Sequence, residues 1–236
     1  MSEIITVRNL SKSYGSHLVL DNISFGLEEG QIIGLLGPNG SGKTSLIKIL
    51  VGLINDYSGD ALIDGNRPSP YTKSMVAYLP EKTYLPDWMR PVDAIEYFAD
   101  FYVDFNKEKA YAMLDSFQLP RKQTIKSMSK GMQEKLQLLL VMCRNARLYI
   151  LDEPLGGVDP AARAFILDTI MTNHPAGSTV MLSTHLINDV ERIFNSVLMI
   201  GRGHVLLQSD VESIRNNGMT VEDAFKEVFQ YAWQVD

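Results

Sequence analysis

Gly37-Pro38-Asn39-Gly40-Ser41-Gly42-Lys43-Thr44 fills the pattern G-x-x-x-x-G-K-[ST] with no mismatch. Glycines let a backbone wrap closely around an anion, a lysine adds a cation and a threonine hydroxyl ligates magnesium. This is the chemistry of a nucleotide's phosphate tail, with Lys43 at the β- and γ-phosphates and Thr44 at the metal. Composition alone yields such a match in about one chain in a hundred of this size, with Gly near roughly 7%. A second set of groups lies at Asp152-Glu153. One acid there can partner hydrated magnesium, and its neighbour can orient or deprotonate a water for in-line attack on a γ-phosphate.

Those residues need strands and helices to hold them. Gln31 to Leu36 is nearly all apolar, as in a strand covered on both faces, and it runs into the glycine cluster. Leu46, Ile47, Leu50 and Leu53 then recur at helical spacing, predicting a helix over Thr44–Leu53 whose dipole and free N–H groups favour phosphate. Leu148-Tyr149-Ile150-Leu151 reads as a buried strand ending on the two acids, the end at which open α/β sheets bind ligands. Earlier strands show in Ile5 and Val7 and in Leu18, Leu20, Ile23 and Phe25, with one more before Asp64. Later ones lie at Thr179–Ser183 and Val197–Ile200, with helical stretches from Ala161 and Leu186. Strands alternating with helices predict an α/β fold with a mainly parallel sheet flanked by helices. Residues 84–146, broken by Pro86, Pro91 and Pro120, read as a helical insertion, leaving 1–83 and 147–236 as the catalytic lobe of a single domain.

Composition sets limits. The 236 residues are 45% hydrophobic, enough for a sizeable core, and 22 basic against 28 acidic residues give a formal charge of -6. That balance argues against nucleic acid as a partner. The lone Cys143 has no intrachain disulfide partner and reads as a core residue of a protein in a reducing compartment. The start alternates like a strand rather than a signal peptide, and apolar runs such as Leu138–Cys143 fall short of the roughly 18 residues of a membrane span. Any membrane role is therefore expected to come through a partner.

Between the two phosphate motifs lies Met128-Ser129-Lys130-Gly131-Met132, and with it the chain resembles the nucleotide-binding subunits of ATP-binding cassette (ABC) transporters over nearly its whole length. The segment is similar to the family's Leu-Ser-Gly-Gly-Gln signature, matching at Ser129 and Gly131 and differing at Met128, Lys130 and Met132. The resemblance implies a P-loop ATPase core with an N-terminal antiparallel β portion and an inserted helical subdomain. It implies ATP and Mg2+, bound by Gly37, Pro38, Asn39, Gly40, Ser41, Gly42, Lys43 and Thr44, with Asp152 at the metal, Glu153 as catalytic base or water-positioning group and Lys43 among the catalytic residues. It places His185, in Ser183-Thr184-His185, at the γ-phosphate, and Tyr14 against the adenine. Ser129, Gly131 and Asp159 would act across a head-to-tail pair, on nucleotide held by a second cassette. Ser129 and Asp159, the latter followed by Pro160, also suit helix N-caps.

One position departs from the family. Where a glutamine usually links magnesium to the permease contact, this chain reads Tyr78-Leu79-Pro80-Glu81. Glu81 offers an oxygen to magnesium but adds charge and, when ionised, cannot donate a hydrogen bond. Leu-Pro-Glu together with Ser-Lys-Gly-Met is similar to bacterial cassettes that serve exporters of drugs, antimicrobial peptides or lipids. The resemblance thus implies a second cassette, identical or homologous, and an integral membrane permease contacted through the helical subdomain at the cytoplasmic face of the membrane. Tyr84, Leu85, Trp88, Met89, Tyr97, Phe98, Phe101 and Tyr102 would divide between that subdomain's core and an apolar groove for a permease helix. The tail pattern Val221, Ala224, Phe225, Val228 and Phe229 is expected to pack on its own domain, with no regulatory domain added before Asp236. Two other readings are a soluble cassette protein acting on ribosomes or DNA, and a generic P-loop kinase or switch. The first usually carries two cassettes or long coiled coils, and the second leaves Ser129, Gly131 and His185 unexplained together.

Overall fold

A computed structural model describes residues 2–234. Strands β1 (Glu3–Tyr14) and β2 (His17–Glu28) form an antiparallel hairpin. β3 (Ile32–Leu36) feeds the glycine-rich loop and helix α1 (Lys43–Leu50), after which β4 (Ser58–Ile63) pairs antiparallel with β1. Order β2-β1-β4 makes a first, three-stranded sheet. α1 stops at Leu50 rather than Leu53, because Gly52 turns the chain at φ +70 and Leu53 is left exposed.

The chain continues through α2 (Pro70–Met75) and β5 (Val76–Leu79), then three helices, α3 (Pro91–Phe101), α4 (Lys107–Ser116) and α5 (Lys130–Met142). β6 (Leu148–Asp152), α6 (Pro160–Asn173), β7 (Thr179–Thr184), the single turn α7 (Ile187–Val190), β8 (Ser196–Gly201), β9 (His204–Asp210), α8 (Val211–Asn216) and α9 (Val221–Gln234) complete it. The second sheet runs β5-β6-β7-β3-β8-β9, parallel throughout except for the β8–β9 hairpin. The fold is α/β, as the alternation of strands and helices predicts.

Side chains alternate through this sheet to serve two cores. Ile33, Leu35, Leu148, Ile150, Met181, Leu198 and Ile200 face α1 and the antiparallel sheet. Ile32, Leu36, Tyr149, Leu151, Val180, Leu182, Val197 and Met199 face the other way, into a cluster continuous with buried residues of α3, α4, α5 and α6. Strands buried on both faces need apolar runs rather than alternation, which is why β3, β6 and β7 were readable. The helix α1 buries Leu46, Ile47, Ile49 and Leu50 completely or nearly so, each worth about 1.5–3 kcal/mol. That burial fixes where the glycine loop ends. In the tail, Val221, Ala224 and Phe229 are buried against the second core, with Phe225 and Val228 packed alongside. Among the described residues no helix is long and apolar enough to cross a membrane.

Candidate functional site

Gly37 to Gly42 connect a fully buried strand to a helix, and the connection is tight. A Cβ on Gly37 would lie 2.2 Å from the Ile200 carbonyl oxygen, while Gly42, at φ +106, leads into α1 from the left-handed region. Both positions need glycine. No side chain caps α1, so its first N–H groups point to the loop's open side, where an anion is favoured. Ser41 is buried with its Oγ unpartnered.

Lys43 opens α1 and folds its stem back into the loop. Its Nζ donates to the carbonyls of Gly37 at 2.7 Å and Pro38 at 3.2 Å, and lies 3.6 Å from Glu153 Oε1. Burial holds the Lys43 pKa below its ordinary value, against the carboxylates of Glu153 and Asp152, which raise it.

The acid pair ends β6. Asp152 is buried; its Oδ1 accepts from Ser183 Oγ at 2.7 Å and Thr44 Oγ1 at 3.4 Å, and its Oδ2 has no partner. Burial pushes its carboxyl up, the Ser183 and Thr44 hydroxyls work against that, and the charges of Glu81 and Glu153 add to it. Glu153 sits at φ +49, a conformation that costs a non-glycine residue about 1–3 kcal/mol. Its N–H is held there by Ser183, through Oγ at 2.9 Å and the carbonyl at 3.1 Å. The carboxylate then meets His185 Nδ1 at 2.9 Å; against an ionised carboxylate that nitrogen carries the proton.

In the sequence Ser183 stands only as the serine two residues before His185, yet its hydroxyl donates to Asp152 and accepts from the Glu153 N–H. Ser183→Ala is expected to lower stability by about 1–3 kcal/mol, since it removes the closer donor to a buried carboxylate oxygen and one of the two acceptors of a strained N–H. Urea unfolding measures this; an unchanged midpoint and slope would show that neither bond matters.

A cavity of about 1090 Å³ joins these groups, lined by Asn39, Gly40, Ser41, Gly42, Lys43, Thr44, Glu81, Glu153 and His185. Its size suits a nucleotide. Gly37 and Pro38 shape the loop behind it, and Asp152 lies beneath Thr44. His17 and Val19 close the end nearest the β1–β2 turn, while Tyr14 lies to one side, half exposed, its hydroxyl 3.4 Å from Ser45 Oγ. Lys130, Gln133, Glu134 and Gln137 of α5 form the far wall, together with Gly156 and Gly157. The visible sequence signal for Gln137 was one polar residue inside the apolar run from Leu136 to Met142.

Three expected site residues stand apart from this cavity. Ser129 caps α5, accepting from the Met132 N–H at 3.3 Å, and Gly131 has open space where a Cβ would be. Asp159 caps α6 by accepting from the Ala162 N–H at 3.0 Å. The caps read from the sequence are therefore present, and none of the three residues lines the chain's own phosphate cavity.

The site fits a magnesium nucleotide. Asp152 Oδ2 is a buried oxygen without a partner, a threonine hydroxyl lies beside the same carboxylate, and the donors are hard oxygens. Among the described residues no three His, Cys, Asp or Glu side chains gather into a metal cage. Magnesium ordinarily takes one or two carboxylates and completes its shell with phosphate oxygens and water.

Comparison with known proteins agrees with this geometry. The family model described as ABC transporter matches residues 20–156. An uncharacterised ABC transporter ATP-binding protein of Methanocaldococcus jannaschii is 34% identical over 220 residues, 91% of this chain and 80% of that protein. The SkfA peptide export ATP-binding protein of Bacillus subtilis is 31% identical over 210 residues, covering 86% and 88%. Among solved structures, an ATP-binding subunit of an ABC transporter superposes with a TM-score of 0.85 at 27% identity, over 96% of this chain and 99% of that one.

Proposed function

Because the chain belongs to the ABC transporter family and is an ATPase of that family, we propose that it drives a separate membrane permease as one of a head-to-tail pair. The observation that carries this reading is the placement of Ser129 and Gly131. They sit at the N-terminal turn of a thirteen-residue helix and, unlike Lys130 between them, do not line the chain's own phosphate cavity. A helix start of that kind suits a phosphate brought by another molecule. A second cassette supplies it, and Asp159 is likewise an exposed helix cap.

In this mechanism the loop N–H groups and Lys43 bind the β- and γ-phosphates, and Tyr14 offers its exposed ring to the adenine. Thr44 and Asp152, with Glu81 nearby, would hold magnesium, which neutralises phosphate charge when bound. Glu153 orients the attacking water and accepts its proton; His185 holds the Glu153 carboxylate and reaches toward the γ-phosphate. Ser129, Gly131 and Asp159 complete the site of the partner. ATP thereby joins the two subunits, and hydrolysis releases them.

Residues 84–146 act as the helical subdomain and 1–83 with 147–236 as the catalytic lobe. Trp88, Tyr97 and Phe101 are exposed, with the last two rings stacked at 6.1 Å, and they offer the permease an apolar contact at the cytoplasmic face of the membrane. The cargo class is a drug, peptide or lipid moved outward, and the similarity to a peptide export protein supports the peptide.

Ser129→Arg tests the pairing. The variant is expected to bind ATP as monomer with unchanged affinity by calorimetry, and to give no ATP-dependent dimer by light scattering. Dimerisation equal to the parent's would remove the basis for the shared site.

A further inference from the structure

Gln137 lies within the apolar stretch of α5 and is 5% exposed. Its Oε1 has no hydrogen-bond partner, and its Nε2 reaches only the Gln133 carbonyl, at 3.5 Å. It borders the phosphate cavity and also a second, small pocket of about 30 Å³ that Glu81, Glu134 and Glu153 share. Glu134 Oε2 and Glu153 Oε1 are likewise buried and unpartnered. The nearest ammonium groups are Lys43, 3.6 Å from Glu153 Oε1, and Lys130, 3.7 Å from the other oxygen of Glu134. Three residues with unsatisfied acceptor oxygens thus border a pocket of about 30 Å³, above the roughly 10–15 Å³ that one water needs.

We propose that Gln137 is a positioning residue for hydrolysis: its amide and a water held in this pocket tie the Glu153 carboxylate to α5. The inference rests on the role of Glu153 given above. A buried amide left half-satisfied lowers stability relative to an apolar side chain of the same length. Folding alone favours methionine or leucine here, between Leu136 and Leu138. The polar group stands instead on the small pocket that the Glu153 carboxylate also borders. α5 is capped by Ser129, so displacement of this helix by a partner's nucleotide would pass through Gln137, two turns along, to Glu153.

Gln137→Met removes the amide while keeping the length. Thermal melting, ATP affinity by calorimetry and steady-state turnover are measured on the parent, on this variant and on Glu153→Gln. The expected result is a melting temperature equal to or above the parent's, ATP affinity within about twofold, and kcat lowered roughly 10- to 100-fold, the range for residues that orient a reacting group's ligands. A parental kcat would overturn the inference. So would a fall in melting temperature, because the amide would then be structural. If Glu153→Gln is inactive while Gln137→Met is fully active, only this inference fails; if Glu153→Gln turns over like the parent, the reading beneath it fails.

Discussion

Glu153→Gln is expected to bind ATP as the parent does and to hydrolyse it about 10²- to 10⁴-fold more slowly, the span lost when a positioned general base is removed. Glutamine has the same shape, so the φ +49 backbone and the two bonds from its N–H to Ser183 persist. What goes is the negative charge and the basic oxygen facing the cavity. The His185 contact at 2.9 Å weakens as well, since Nδ1–H then donates to a neutral amide oxygen rather than to a carboxylate. Loss of a carboxylate also lowers the crowding of negative charge that Glu81, Asp152 and Glu153 create together. ATP binding is therefore expected not to weaken, and under the proposed pairing a nucleotide-bound dimer is expected to accumulate. Single-turnover phosphate release and size-exclusion chromatography with light scattering measure both halves. Parental turnover in a folded variant would take Glu153 out of the chemistry.

The near wall of the site was legible in the sequence because it is local. Gly37 to Thr44 is one contiguous motif at the end of a buried strand, and Asp152-Glu153 ends another. Period and composition report such joints directly. The meeting of Lys43, Asp152, Glu153 and His185 follows from parallel order in the second sheet, with β3 beside β7 and β7 beside β6. The far wall was not legible. Gln137 looks like a stray polar residue in an apolar helix until α5 is packed, and Ser183 reaches across 31 positions to Asp152. Short elements escaped for a different reason. β5 has four residues, and its helix α2 six; neither is long enough to establish a period. The Ser69–Thr72 capping box and Pro70 were the available signal for α2. β9 follows the turn at Gly201–Gly203, and its side chains, half-buried or exposed throughout, lack the buried apolar run of the central strands. The helix expected from Leu186 shrinks to one turn, because a 3₁₀ turn at Glu191–Ile193 follows directly.

Lys43→Ala has its largest expected effect on binding rather than on the chemical step. Lys43 is 6% exposed, and its ammonium donates to the carbonyls of Gly37 and Pro38 while facing Glu153 at 3.6 Å. Those contacts hold the cation at the loop before nucleotide arrives, so phosphate oxygens exchange for carbonyls with little reordering. Charge-assisted hydrogen bonds contribute about 1.5–3 kcal/mol each, and two of them correspond to roughly 10²- to 10⁴-fold in affinity. Thermal stability gives a readout free of turnover. At ATP near 1,000 times the parental Kd, binding stabilises the parent by about 4.1 kcal/mol; a variant 10³-fold weaker gains only about 0.4 kcal/mol from the same solution. Deleting the ammonium also leaves two carbonyls without their donor and Glu153 without its nearest cation, so Lys43→Met, which keeps most of the buried stem, is measured beside it. Both variants should lose the ATP-induced rise in melting temperature, whatever their melting temperature without nucleotide. An undiminished rise in either would show that the phosphate tail is bound elsewhere than at Gly37 to Thr44.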